Sequence, residues 1–177
     1  IGRDAETVLN RICSNNVAIE PGRIVYTQCL NEQGGIEADL TVTRETSDIF
    51  MVVTSGSSQV RDFHWIKNKI ENDDHCIITD ITSSMAVLGV HGPNSRNLLQ
   101  SLTHSDVTNN AFPFGTSRTI DIGYAFARAS RITYMGELGW ELYIPTEFAP
   151  SVYDRVLELG TDFGLKHVGA HAINSLR

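Results

Sequence analysis

The chain has 177 residues, enough for one large domain or two small ones. Hydrophobic residues make up 41% and charged residues 20%, with 14 Gly and 5 Pro, a globular composition that excludes collagen, coiled coil and disordered polymer. Lys and Arg number 14 against 21 Asp and Glu, giving a formal charge of −7 and a pI near 5.3. That is the wrong sign for neutralising phosphates, so nucleic acid is not an expected partner.

The apolar runs have strand length, as at Ile49 to Thr54, so no membrane span is expected. The start, Ile1-Gly2-Arg3-Asp4-Ala5, has neither an initiator Met nor a leader pattern and reads as a fragment. Cys13, Cys29 and Cys76 are widely spaced with no Cys-x-x-Cys pair, which argues against a disulfide framework or zinc knuckle and suggests a reducing compartment.

In chain order, Asp4 to Asn15 predicts a helix with Ala5, Val8, Leu9 and Ile12 on its apolar stripe. Strands are predicted at Arg23 to Leu30 and Ile36 to Arg44, joined by a turn whose Gly34 and Gly35 can take positive φ. The second strand alternates cleanly. Ile36, Ala38, Leu40 and Val42 share one face, and Glu37, Asp39, Thr41 and Thr43 the other. Ile49 to Thr54 is apolar on both faces, as for a central strand, which would cover the neighbouring polar face and line a cavity there.

Ser57 to Ile70 reads as a helix with Val60, Phe63, Ile66, Lys67 and Ile70 near one stripe. Strands are expected at Cys76 to Thr82 and Met85 to His91, then a helix after Gly92-Pro93-Asn94 with Leu98, Leu99 and Leu102 inward. Further strands fall at Arg118 to Ile122, Phe126 to Tyr134 and Trp140 to Ile144, a helix at Pro150 to Leu159, and the opening of another at Val168 to Arg177. The pattern indicates an α+β fold of mainly antiparallel sheets with flanking helices.

Asp39 is a strand carboxylate able to accept a proton or stabilise a developing cation, although a solvated carboxylate on a strand is the commoner case. Tyr134 to Glu141 packs two glycines, two aromatics and two carboxylates into eight residues. Glu141 alternates with Trp140, Leu142 and Ile144, and its carboxylate suits the paired N–H edge of a 2-aminopyrimidinone, with Tyr134 placed to stack on the ring. The plainer alternative is a β-turn and a surface Glu. The six histidines form no metal motif, and no G-x-G-x-x-G, P-loop or nucleophile elbow occurs.

Three blocks, Tyr26 to Val42 (YTQCLNEQGGIEADLTV), Val87 to Arg96 (VLGVHGPNSR) and Arg131 to Pro145 (RITYMGELGWELYIP), together resemble the aminomethyltransferase family, the glycine cleavage T-protein and its relatives. The third block and the Thr-Val after Asp39 and Leu40 are most similar to the folate-binding portion of dimethylglycine and sarcosine dehydrogenases. The resemblance implies an incomplete aminomethyltransferase-type fold, residues 1–177 being the central part of a folate-binding domain with an internal boundary near 45–55. It implies a tetrahydrofolate site, with Asp39 beside the reacting folate nitrogens, Glu141 holding the pterin, and Tyr26, Thr41 and Tyr134 lining the pocket.

The same resemblance implies transfer of a methylene unit from a small methylated amine of the dimethylglycine or sarcosine class, yielding 5,10-methylenetetrahydrofolate. FAD would sit in a separate flavin-binding domain of the same parent chain. The compartment implied is the mitochondrial matrix in a eukaryote and the cytoplasm in a bacterium. In the T-protein pattern Ala-Arg-Asp-x-x-Arg, this chain reads Ala172-Ile173-Asn174-Ser175-Leu176-Arg177, so Ile173 replaces a folate-contacting Arg and the dehydrogenase branch is favoured over a T-protein. The alternative is a regulatory module like the regulatory subunit of pyruvate dehydrogenase phosphatase, which resembles these enzymes without being one.

Overall fold

Gly34 takes φ +78° at the tip of the first hairpin, and the Asn31 side-chain oxygen accepts the backbone N–H groups of Gln33 at 3.1 Å and Gly35 at 2.8 Å. A left-handed glycine and an Asx-type turn thus set the register. The computed structural model describes residues 1–177. In it, β1 (Ile24–Leu30) and β2 (Ile36–Arg44) pair antiparallel, from Ile24 opposite Thr43 to Gln28 opposite Asp39, with a bulge between Cys29 and Leu30.

The chain divides into two units, Ile1–Asp80 and Ile81–Arg177. Residues 45–55, where an internal boundary was expected, instead carry the turn and strand that join β2 to β3 (Phe50–Val53) inside the first unit. There α1 (Ala5–Ile12) and α2 (Gln59–Lys67) accompany a sheet of order β1-β2-β3. Leu9, Ile12, Val17, Cys29, Ala38, Leu40, Val42 and Ile66 form its core, so the apolar face of β2 is the buried one.

Three sequence expectations fail in this unit. β2, not the apolar run at Phe50–Val53, is the central strand; β3 pairs only with β2 and all four of its residues are half-buried. Cys76 to Thr82 forms no ladder: its β-branched residues fit a strand pattern, but Ile77 N–H bonds only to the Ile1 carbonyl at 2.8 Å. In α2, Val60 is 70% exposed while the helix buries Ile66 and, against its polarity, Asp62.

Asp62 is 1% exposed and survives burial because Thr54 Oγ1 donates to it and the Arg61 guanidinium pairs with it at 2.8 Å. Asp62→Ala is expected to cost about 2 kcal/mol, through lost hydrogen bonds and an underfilled site. The check is the urea midpoint; a midpoint equal to wild type contradicts the assignment.

In the second unit β4 (Met85–His91), β7 (Gly139–Pro145), β6 (Ala125–Ser130) and β5 (Ser117–Ile122) form an antiparallel sheet in that order. One face, with Val90, Ile120, Ile122, Ala127, Ala129, Trp140, Leu142 and Ile144, meets Leu98, Leu99 and Leu102 of α3 (Ser95–Leu102) and Val152 and Val156 of α4 (Ala149–Gly160). The strand expected to reach Tyr134 ends at Ser130: Arg131 N–H still bonds across to the Thr116 carbonyl at 2.8 Å, and the chain then turns at Ile132, whose N–H bonds back to the Ser130 carbonyl at 3.0 Å. Gly169 caps the short α5 (Ala170–Leu176). All strand pairings are antiparallel and helices flank the sheets, as the α+β reading requires.

Candidate functional site

Period-two alternation on β1 and β2 puts Tyr26, Gln28, Asp39 and Thr41 on the face opposite the core. Gln28 stands directly across from Asp39, and Tyr26 across from Thr41, so the Tyr26 ring lies diagonal to the carboxylate. Tyr26 Oη donates to Asp39 Oδ2 at 2.9 Å and Gln28 Nε2 donates to Oδ1 at 3.0 Å. Both carboxylate oxygens are therefore fixed in orientation by neutral donors. Each oxygen has a second lone pair, and Asp39 is exposed, so a negative charge of fixed direction is presented outward. The expected covering of this face at Asp39 is not found.

Glu141 is half-buried in the middle of β7 of the second unit, between Gly89 of β4 and Ser130 of β6. It shares the non-core face with Tyr143, whose hydroxyl donates to Glu141 Oε2 at 2.5 Å. Burial, reinforced by the Glu141 charge, pushes the Tyr143 hydroxyl well above the usual tyrosine range, so it remains a donor. His91 lies along the same face. A Cβ at Gly139 would fall 2.1 Å from His91 Nδ1 and one at Gly89 2.9 Å from Nε2, so both glycines make room for the imidazole. Burial lowers the His91 pKa, Glu141 and Glu137 oppose that shift, and buried Nδ1 has no hydrogen-bond partner.

Tyr134 makes no hydrogen bond to Glu141. It sits in the loop before β7, 45% exposed; its hydroxyl donates to Asn174 Oδ1 at 3.2 Å and accepts from Arg177 at 2.9 Å, with that guanidinium 4.6 Å from the ring centre. A cleft of about 600 Å³ in the second unit is lined by residues including Gly89, His91, Met135, Leu157, His167 and Ile173. None of the five candidate residues lines it, and its walls are mostly apolar, so the oriented carboxylates define the candidate site better than the cleft does.

Gln28, Tyr143 and His91 are the polar neighbours that sequence reasoning missed. The signal for the first two was available: each lies two residues along a strand from a candidate, on the same face.

Fold and site define an α+β protein that carries oriented carboxylates on the non-core faces of two antiparallel sheets. Comparison with known proteins gives the family. The GCVT N-terminal domain model matches residues 1–177, and the chain belongs to that family. It is 36% identical over 176 residues to 4-methylaminobutanoate oxidase (formaldehyde-forming) of Paenarthrobacter nicotinovorans, covering 99% of this chain and 21% of that protein. It is 33% identical to mitochondrial dimethylglycine dehydrogenase of Rattus norvegicus and 32% identical to the mitochondrial pyruvate dehydrogenase phosphatase regulatory subunit of Mus musculus, in each case covering 99% of this chain and 20% of the relative. The chain thus spans about a fifth of the length of these relatives. The fold also matches a crystal structure of the glycine cleavage system aminomethyltransferase T from Bartonella henselae, with a TM-score of 0.82, 24% identity, and coverage of 99% of this chain and 46% of that one.

Proposed function

We propose that this chain is the tetrahydrofolate-binding, methylene-accepting part of a dimethylglycine or sarcosine dehydrogenase-like protein, with 5,10-methylenetetrahydrofolate as product and a flavin domain elsewhere in the parent chain making the reactive one-carbon donor. The observation that carries it is the Asp39 carboxylate, held at both oxygens by Tyr26 and Gln28 yet open to solvent. Similarity to the dehydrogenase relatives along the whole chain supports the branch.

The residues present fit a flat heteroaromatic ligand. Glu141 is flanked in register by Gly89 and Ser130, whose small side chains leave its carboxylate uncrowded from those two positions, while the His91 imidazole over Gly89 would form one wall beside a bound ring. Bound tetrahydrofolate would supply nucleophilic nitrogens that take up the one-carbon unit. Glu141 would accept the paired N–H groups of its pterin edge, with Tyr143 orienting the carboxylate. Asp39 would take the proton released at a folate nitrogen onto a carboxylate oxygen and offset the positive charge of the incoming donor. Thr41 lies across the ladder from Tyr26 on that face, and Tyr134 would lend an aromatic edge.

The test is a titration of the intact protein with 5-formyltetrahydrofolate, a stable reduced folate, for wild type and Glu141→Ala. Micromolar binding is expected, weakened roughly 10- to 100-fold by loss of charged hydrogen bonds in the variant. A folded wild type that binds no reduced folate would favour the regulatory reading, consistent with the similarity to the phosphatase regulatory subunit.

A further inference from the structure

Cys13 and Cys29 lie sixteen positions apart in sequence but face each other in the fold. Cys13 ends α1 in an extended conformation, φ −88° and ψ 141°, and forms a single antiparallel bridge with Cys29 on β1. Ser14 N–H donates to the Gln28 carbonyl at 2.8 Å, which makes the two cysteines a non-hydrogen-bonded pair. In such pairs the Cα atoms stand about 4.5 Å apart with side chains close on one face, inside the range of about 4.4–6.8 Å that a disulfide spans.

Both thiols are free, and the bridge sets the two side chains on one face of the pair. Cys29 is fully buried in the core of the first unit, whereas Cys13 is partly exposed. The neighbouring Cys29 thiol lowers the Cys13 pKa, and the proximity of Cys13 together with burial holds the Cys29 thiol protonated.

We propose that Cys13 and Cys29 form a dithiol–disulfide modification site that a low-molecular-weight disulfide oxidises. The Cys13 thiolate attacks one sulfur of the oxidant, making a mixed disulfide and expelling one small thiolate. Cys29 then loses its proton and attacks Cys13 Sγ, forming the Cys13–Cys29 bond and expelling the second small thiolate. The protein loses two electrons and two protons, and the oxidant is reduced to two thiols. The bond closes beside the candidate site: Gln28, which holds Asp39, precedes Cys29, and Ser14, bonded to Gln28, follows Cys13.

Oxidised glutathione tests this on the intact protein, with free thiols alkylated and a tryptic digest made without reduction. The expected product joins the peptide Ile12–Arg23 to Ile24–Arg44, two hydrogens lighter than their sum, at roughly tenfold the yield of any pair containing Cys76. Cys29→Ser should instead trap glutathione on Cys13. In wild type, recovery of Cys13 and Cys29 on separate peptides, alkylated or each glutathionylated, while Cys76 reacts would overturn the proposal.

Discussion

Asp39→Asn is expected to leave reduced-folate affinity within a few fold while lowering methylene transfer about a hundredfold or more. Asn keeps the shape: its oxygen can still accept from Gln28 Nε2, and its amide can donate to the Tyr26 hydroxyl, which then becomes the acceptor. The negative charge and the ability to take a proton are what disappear. Single-turnover transfer to tetrahydrofolate, run beside the binding titration on the intact protein, separates the two effects. A transfer rate equal to wild type would remove Asp39 from the chemistry.

Gly139→Ala is expected to destabilise the second unit by about 3 kcal/mol, at the upper end of ordinary overpacking. The new methyl would meet His91 Nδ1 at 2.1 Å and the Val90 carbonyl oxygen at 2.7 Å. The imidazole can swing away, but the carbonyl belongs to β4, whose His91 pairs with Gly139 in the ladder. Adding His91→Ala should therefore recover only part of the loss. Urea midpoints of the single and double variants decide the matter, and full rescue by His91→Ala would show that the backbone clash is absorbed.

Much of the first unit was legible because its signals are local. The Gly34-Gly35 turn and the alternation from Ile36 to Thr43 placed Asp39 and Thr41 on the non-core face, and the structure keeps them there. What failed were inferences about partners. Phe50–Val53 is apolar on both sides yet ends a three-stranded sheet, since pattern reports hydrophobicity and not which neighbour arrives. Tyr134 and Glu141 read as one block, but Gly136 at φ +82° turns the chain between them, sending Tyr134 toward Asn174 and Glu141 into the sheet. The three cysteines are free, in keeping with their spacing, but the proximity of two of them was not legible. Spacing showed no pair, and only the return of β1 against the end of α1 brings Cys13 to Cys29.

The order of the second sheet sets a schedule for its assembly during synthesis. β5 and β6 form a short hairpin that can close as soon as both have left the ribosome, but β4 pairs only with β7, and all of α3, β5 and β6 lies between them in the chain. At elongation rates of about 5–20 residues per second, the nascent β4, with Leu88 and Val90, waits several seconds for the strand that completes it. Its apolar edge is therefore exposed to other nascent chains for that interval, so a pause in translation between β6 and β7 would raise the fraction of chains lost to aggregation before the sheet can close.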